Sequence, residues 1–260
     1  MIEIPKERRK AQRQEPRSIL IYGSYKSGKS AIAAQLPNSL LIEMEEGGAD
    51  NLEGRILELT SLKEINKLTE VFEKVKKMDD IKFIILDTAT AMDEASEIIG
   101  TYNFMKKAQG KNFNVIDGKR LNHLDPRFET VNELPNGFGY RYSREVMDKW
   151  YRAAIATGKT VIFIAHIKDK LISTKSGDLV EVADLNLTGK VKQMYASRVD
   201  ALAYLVREGD NSYLSFQSIG EVAAGSRYPY LNDKILIGEG KNGALVKTHW
   251  ESIFPSIKKD

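Results

Sequence analysis

Residues 23–30, GSYKSGKS, put Gly23, Gly28, Lys29 and Ser30 at the four fixed places of G-x-x-x-x-G-K-[ST]. This pattern is a P-loop, and it constrains the fold because it works in one setting only. Its glycines let the backbone curl until several N–H groups and the positive end of a helix face one phosphate cluster. A buried strand must therefore enter the loop, and a helix must leave it. The flanks comply: Ile19 to Tyr22 is a short apolar run, and AIAAQL, Ala31 to Leu36, is a good helix former. The motif implies a nucleoside triphosphate site made by Gly23, Ser24, Tyr25, Lys26, Ser27, Gly28, Lys29, Ser30 and Ala31. Lys29 adds a point charge at the β and γ phosphates, and Ser30 offers a hydroxyl to Mg²⁺.

Further apolar runs extend the pattern. Leu40 to Ile42, Ile56 to Leu59, Phe83 to Asp87 (FIILD) and Val161 to Ala165 (VIFIA) are predicted strands. Leu62, Ile65, Leu68, Phe72, Val75 and Met78 recur at helical spacing, which predicts a helix over 61–78; a second is predicted over 141–157. Helices alternating with apolar strands indicate α/β architecture, with a mostly parallel twisted sheet flanked by helices. Further strands are expected near the C-terminus, from Ala201, Tyr213 and Lys234. Residues 1–16 are charged and aperiodic, a flexible basic arm, and the folded domain spans 17–260. Within it, 102–140 carries Gly110, Gly118, Pro126, Pro135, Gly137 and Gly139 among basic and aromatic residues and is expected to be an irregular insertion. Polar residues dominate 168–190, which is expected to be a loop.

Composition narrows the remaining classes. With 42% hydrophobic and 29% charged residues the chain is ordinary for a globular protein, and no apolar run approaches a membrane span. The N-terminus lacks the apolar core of a secretory signal, so a cytoplasmic location is expected. The absence of cysteine removes disulfides and thiolate metal sites, and His123, His166 and His249 are too scattered for a zinc motif. Mg²⁺ is the only metal implied. The net charge of +3 is unevenly spread, with basic stretches at 1–17 and 103–127 that suit a polyanion partner or a solvated surface.

Hydrolysis needs two more parts. Asp87 ends an apolar strand, where a carboxylate can reach Mg²⁺ beside Ser30. Its neighbour Thr88 cannot act as a base, so the water-activating group must come from elsewhere. Glu43, Glu45 and Glu46 follow the second apolar run in LLIEMEEGG, where strand ends converge at the carboxyl edge of a parallel sheet.

Taken together, GSYKSGKS, IEMEEGG, FIILDT and VIFIAH resemble the RecA-type ATPase core over residues 17–230. The resemblance implies ATP with Mg²⁺, and it assigns the catalytic base to Glu45, the acid before it to Glu43, and a γ-phosphate sensor to His166. The histidine and the stretch NGFGYRYSREVMDKW are similar to phage-encoded RecA-like ATPases of the single-strand annealing type. That likeness implies a single-stranded DNA partner, homo-oligomeric rings or filaments, and the host cytoplasm. Relatives that form hexamers present a lysine, a spacer and an arginine to the neighbour's nucleotide; here Arg227 is present, but Gly225 replaces the lysine. Tyr140, Arg141, Tyr142 and Arg144 form an aromatic and basic cluster suited to nucleic acid or to helix packing. Two rival functions share the P-loop: a small-molecule kinase, for which no arginine-rich lid is evident, and an assembly module gated by nucleotide without required hydrolysis. No N-K-x-D stretch for guanine recognition occurs.

Overall fold

The computed structural model describes residues 7–173, 179–218 and 223–259. The chain runs β1 (Ser18–Gly23), α1 (Lys29–Ala34), β2 (Ser39–Glu43), β3 (Ile56–Glu58), α2 (Leu62–Ile65), α3 (Leu68–Val75), β4 (Phe83–Asp87) and α4 (Ala89–Met105). A short hairpin, β5 (Val115–Ile116) and β6 (Lys119–Arg120), precedes α5 (Tyr140–Ala156). Then come β7 (Thr160–Ser173), β8 (Leu179–Leu185), α6 (Gly189–Arg198), β9 (Ala201–Glu208), β10 (Asn211–Ser215), β11 (Gly225–Ser226), β12 (Lys234–Lys241) and β13 (Ala244–Thr248).

The main sheet has the order β13-β12-β10-β9-β1-β7-β4-β2-β3. From β9 to β3 every pair is parallel, whereas β10, β12 and β13 extend the sheet in antiparallel fashion. Side-chain alternation explains why the central strands read as unbroken apolar runs. Leu20, Tyr22, Leu40, Ile42, Ile84, Leu86, Val161 and Phe163 face a core shared with α3, α4, α5 and α6. The residues between them, Ile19, Ile21, Leu41, Phe83, Ile85, Ile162 and Ile164, face a second core with Ile32 and Ala33 of α1, Trp250 and Phe254. Trp250 fixes that second layer by donating its indole N–H to the Ile32 carbonyl at 2.9 Å.

Three sequence expectations change. The helix over 61–78 is two helices, α2 and α3, with a tight turn at Asn66 and Lys67. At the break the Lys67 N–H donates to the Glu64 carbonyl three residues back, at 2.8 Å, a tighter turn than the α-helical one. Ser61 starts α2 with a capping box to Glu64. The polar loop over 168–190 is instead an antiparallel hairpin, with β7 paired to β8 from Ile167↔Leu185 to Ser173↔Leu179, followed by the start of α6. In β8, Val180 and Val182 alternate with Glu181 and Ala183, a short period-two pattern that the polar count concealed. Lys192, just beyond that stretch, lies on α6 and pairs with Asp184 at 2.7 Å.

Between α4 and α5 the chain forms short 3₁₀ turns and the hairpin, whose Asp117-Gly118 turn has both φ angles positive. The first part of the 102–140 stretch belongs to α4, which continues to Met105. Residues 7–16 have no regular secondary structure, and Glu15 accepts hydrogen bonds from the backbone N–H and hydroxyl of Ser256. Residues 1–6 of the expected arm lie outside the described residues. Among the described residues no helix is long and apolar enough to cross a membrane.

Candidate active site

Parallel strands bring their carboxyl ends to one edge, and register sets which residues meet there. Gly23 of β1 lies opposite His166 of β7, and Glu43 of β2 lies opposite Asp87 of β4. Because β7 runs between β1 and β4, His166 stands between the P-loop and Asp87.

The loop takes its shape from Gly28, whose φ of 91° is a left-handed conformation that glycine adopts without strain. Lys26 is also left-handed, with φ of 56°. The Lys29 ammonium is buried and donates to the carbonyls of Gly23 at 3.0 Å and Ser24 at 2.7 Å. Burial lowers its pKa to about 8, against the pull of Asp87 and Glu45.

Asp87 is almost wholly buried, and burial raises its pKa to about 6. Next in weight is the Ser30 hydroxyl, which faces it and pulls the other way; their approach falls short of full hydrogen-bond geometry. Both carboxylate oxygens of Asp87 lack a hydrogen-bond partner among the described residues. Such buried orphans call for a positive ligand. Among the described residues no group of three or more His, Asp or Glu forms a cage for a metal. One buried carboxylate and one hydroxyl fit Mg²⁺, which takes few protein ligands and completes its shell with water and phosphate.

The three glutamates separate by environment. Glu43 is buried and accepts from the Glu45 backbone N–H at 2.8 Å, and burial, reinforced by Asp87, raises its pKa to about 7. Gly48 folds over it so closely that a Cβ there would lie 2.9 Å from the Glu43 carboxylate. Glu46 is exposed. Glu45 alone points into the cluster: its Oε1 accepts from the Thr88 hydroxyl at 2.7 Å and bonds His166 Nε2 at 2.9 Å. The His166 bond leads the effects that lower the Glu45 pKa.

Thr88 is the residue that sequence reasoning set aside. Its oxygen also accepts from the Ala91 N–H, so it caps α4 while donating to Glu45. A threonine between a strand-ending aspartate and a helix-forming run was the available signal. Thr90 was missed as well: its hydroxyl accepts from the His166 N–H at 3.1 Å and donates to the Asn186 carbonyl at 3.3 Å, joining α4 to the base of the hairpin.

A family model described as an AAA domain matches residues 15–228. The chain belongs to that AAA domain family. No curated protein matches it. An AAA domain is a nucleotide-binding ATPase unit, and in this one the P-loop, Asp87, Glu45 and His166 gather at one sheet edge. Arg227 does not join them. It sits beside the start of β9, at the opposite edge of the AAA domain, donating to Asp200 at 3.1 Å and to the Ser197 carbonyl at 2.9 Å.

Proposed function

We propose that this AAA domain is a RecA-like ATPase that hydrolyses ATP and acts on single-stranded DNA in phage recombination, annealing or replication, as a homo-oligomer. The observation that carries the catalytic part is the double anchoring of Glu45 Oε1 by Thr88 and His166. A carboxylate held through one oxygen presents the other in a fixed direction, and its lowered pKa keeps it ionised at neutral pH to accept a proton.

The roles follow from position. Loop amides and Lys29 hold the phosphates, and Lys29 exchanges two carbonyl partners for phosphate oxygens when ATP enters. Ser30 and Asp87 would hold Mg²⁺, which neutralises charge on the phosphates when bound. Glu45 orients water toward the γ-phosphate and takes its proton. His166, bonded to Glu45 and tied through Thr90 to Asn186, links the occupied site to the β7–β8 hairpin. Arg227, remote from the site of its own chain, is suited to supply a cation to a neighbour.

For the DNA partner, support comes from the sequence resemblance and from an open cavity of about 400 Å³ lined by Tyr140, Arg141, Arg144 and Lys190. Tyr142 turns instead toward Phe104, with ring centroids 5.2 Å apart. The test is ATP turnover measured with and without single-stranded DNA, for the native chain and Glu45→Gln. The reading expects DNA to raise the native rate and Glu45→Gln to bind ATP without turning it over. DNA-independent phosphate transfer to a small molecule would replace it with a kinase, and DNA-bound assembly with no native turnover would replace it with a gated binder.

A further inference from the structure

The His166 imidazole is tied at one nitrogen only. Nε2 meets Glu45, but Nδ1 is buried and has no partner among the described residues. A histidine that orients a carboxylate is ordinarily steered by a hydrogen bond at its other nitrogen, which stops the ring swinging about the first contact. Here that second bond is missing, and a ring takes its place. Tyr25, the third residue of the P-loop, stacks on the imidazole with centroids 4.1 Å apart and planes 26° apart.

The tyrosine is 60% exposed, and among the described residues the His166 imidazole is the ring it stacks on. Phosphate capture by a P-loop uses backbone N–H groups and the lysine, so the loop needs no aromatic side chain there. Left-handed Lys26 follows directly, at the turn of the loop that carries the tyrosine.

We propose that Tyr25 is a positioning residue for hydrolysis: its ring holds the His166 imidazole in the plane where Nε2 bonds Glu45 Oε1, leaving Oε2 aimed at water. The proposal rests on Glu45 as the base. It places the aligning group on the loop that binds the phosphates, so loop shape and base alignment are coupled through one side chain.

The test compares Tyr25→Phe, which keeps the ring, with Tyr25→Ala, which removes it, in the full chain. From the strength of aromatic stacking, kcat of Tyr25→Ala is expected to fall about 3- to 10-fold, with ATP KM and Kd within about twofold of native. Tyr25→Phe is expected to restore kcat. Native kcat in Tyr25→Ala overturns the proposal. Equal losses in both variants overturn it too, because the hydroxyl would then be the acting group. A loss confined to ATP affinity does the same, since it makes the ring a nucleotide contact. Glu45→Gln run in parallel separates the two possible failures: normal turnover there removes the base assignment itself, whereas an inactive Glu45→Gln beside a normal Tyr25→Ala removes only the positioning role.

Discussion

Thr88 and Glu45, 43 residues apart in sequence, meet at 2.7 Å through a hydroxyl that also caps α4. One side chain thus sets the start of the helix behind Asp87 and the aim of the carboxylate beside it. Thr88→Val keeps the shape and removes both bonds. It is expected to destabilise the fold by about 0.5–2 kcal/mol, the usual cost of a lost cap. Turnover should fall by about tenfold or more, as for loss of one aligned hydrogen bond to a reacting group. Thermal unfolding and steady-state ATPase assays measure the two effects. Thr88→Ser should recover most of each.

Lys29→Ala removes the buried ammonium that now bridges Gly23 and Ser24. Charge-assisted bonds to phosphate are each of order 1.5–3 kcal/mol, so ATP affinity should drop about 10- to 100-fold. Turnover should be abolished. Calorimetric titration with ATP checks the first, and phosphate release checks the second.

Arg227→Ala tests the cross-subunit cation. ATP affinity should remain within about threefold of native, while turnover falls by at least about tenfold if the guanidinium serves a neighbour's site. Mixing Arg227→Ala with Lys29→Ala chains should then recover activity, because each supplies what the other lacks. Mixtures no more active than their components would confine Arg227 to its bonds with Asp200 and Ser197.

Glu43 gives a pH dependence of known sign. Its carboxyl titrates near pH 7 in the folded chain, because of burial first and Asp87 second, against an ordinary value of 4.5. Between those values the folded chain binds a proton that the unfolded chain has released. Its contribution to stability is therefore full below about pH 4.5 and is lost as pH rises through about 7. Glu43→Gln keeps an acceptor for the Glu45 N–H and has no such loss. Without nucleotide, the melting temperature of Glu43→Gln relative to native should rise by about 2–4 °C per kcal/mol removed as pH goes from 5 to 8. A difference independent of pH would show that Glu43 is ionised in the folded chain.

Much of this was legible in the sequence because fully buried parallel strands carry an unmistakable signal. FIILD is β4 residue for residue, and the P-loop and its flanks gave β1 and the start of α1. Glu45 could be named as a candidate because it follows a predicted strand, and His166 because the resemblance puts a sensor directly after VIFIA; the structure carries β7 on past His166 to Ser173. Their partners could not. Tyr25 stacks on a residue far along the chain, and Thr88 reaches across to the loop that follows β2, so both roles depend on sheet order, which no local pattern encodes. The hairpin was misread for a different reason: strands with few apolar residues look like loops when counted by polarity alone.

β7 begins in the middle of the sheet and exchanges β1 and β4 for β8 just beyond His166. A ribbon clamped over one half and projecting over the other has its fulcrum at the change of partners. From Ile167 to Ser173 this arm measures about 20 Å at the usual rise per residue. A rotation at the His166 peptide is thereby carried along the strand as far as Ser173, with no break in β7 between them.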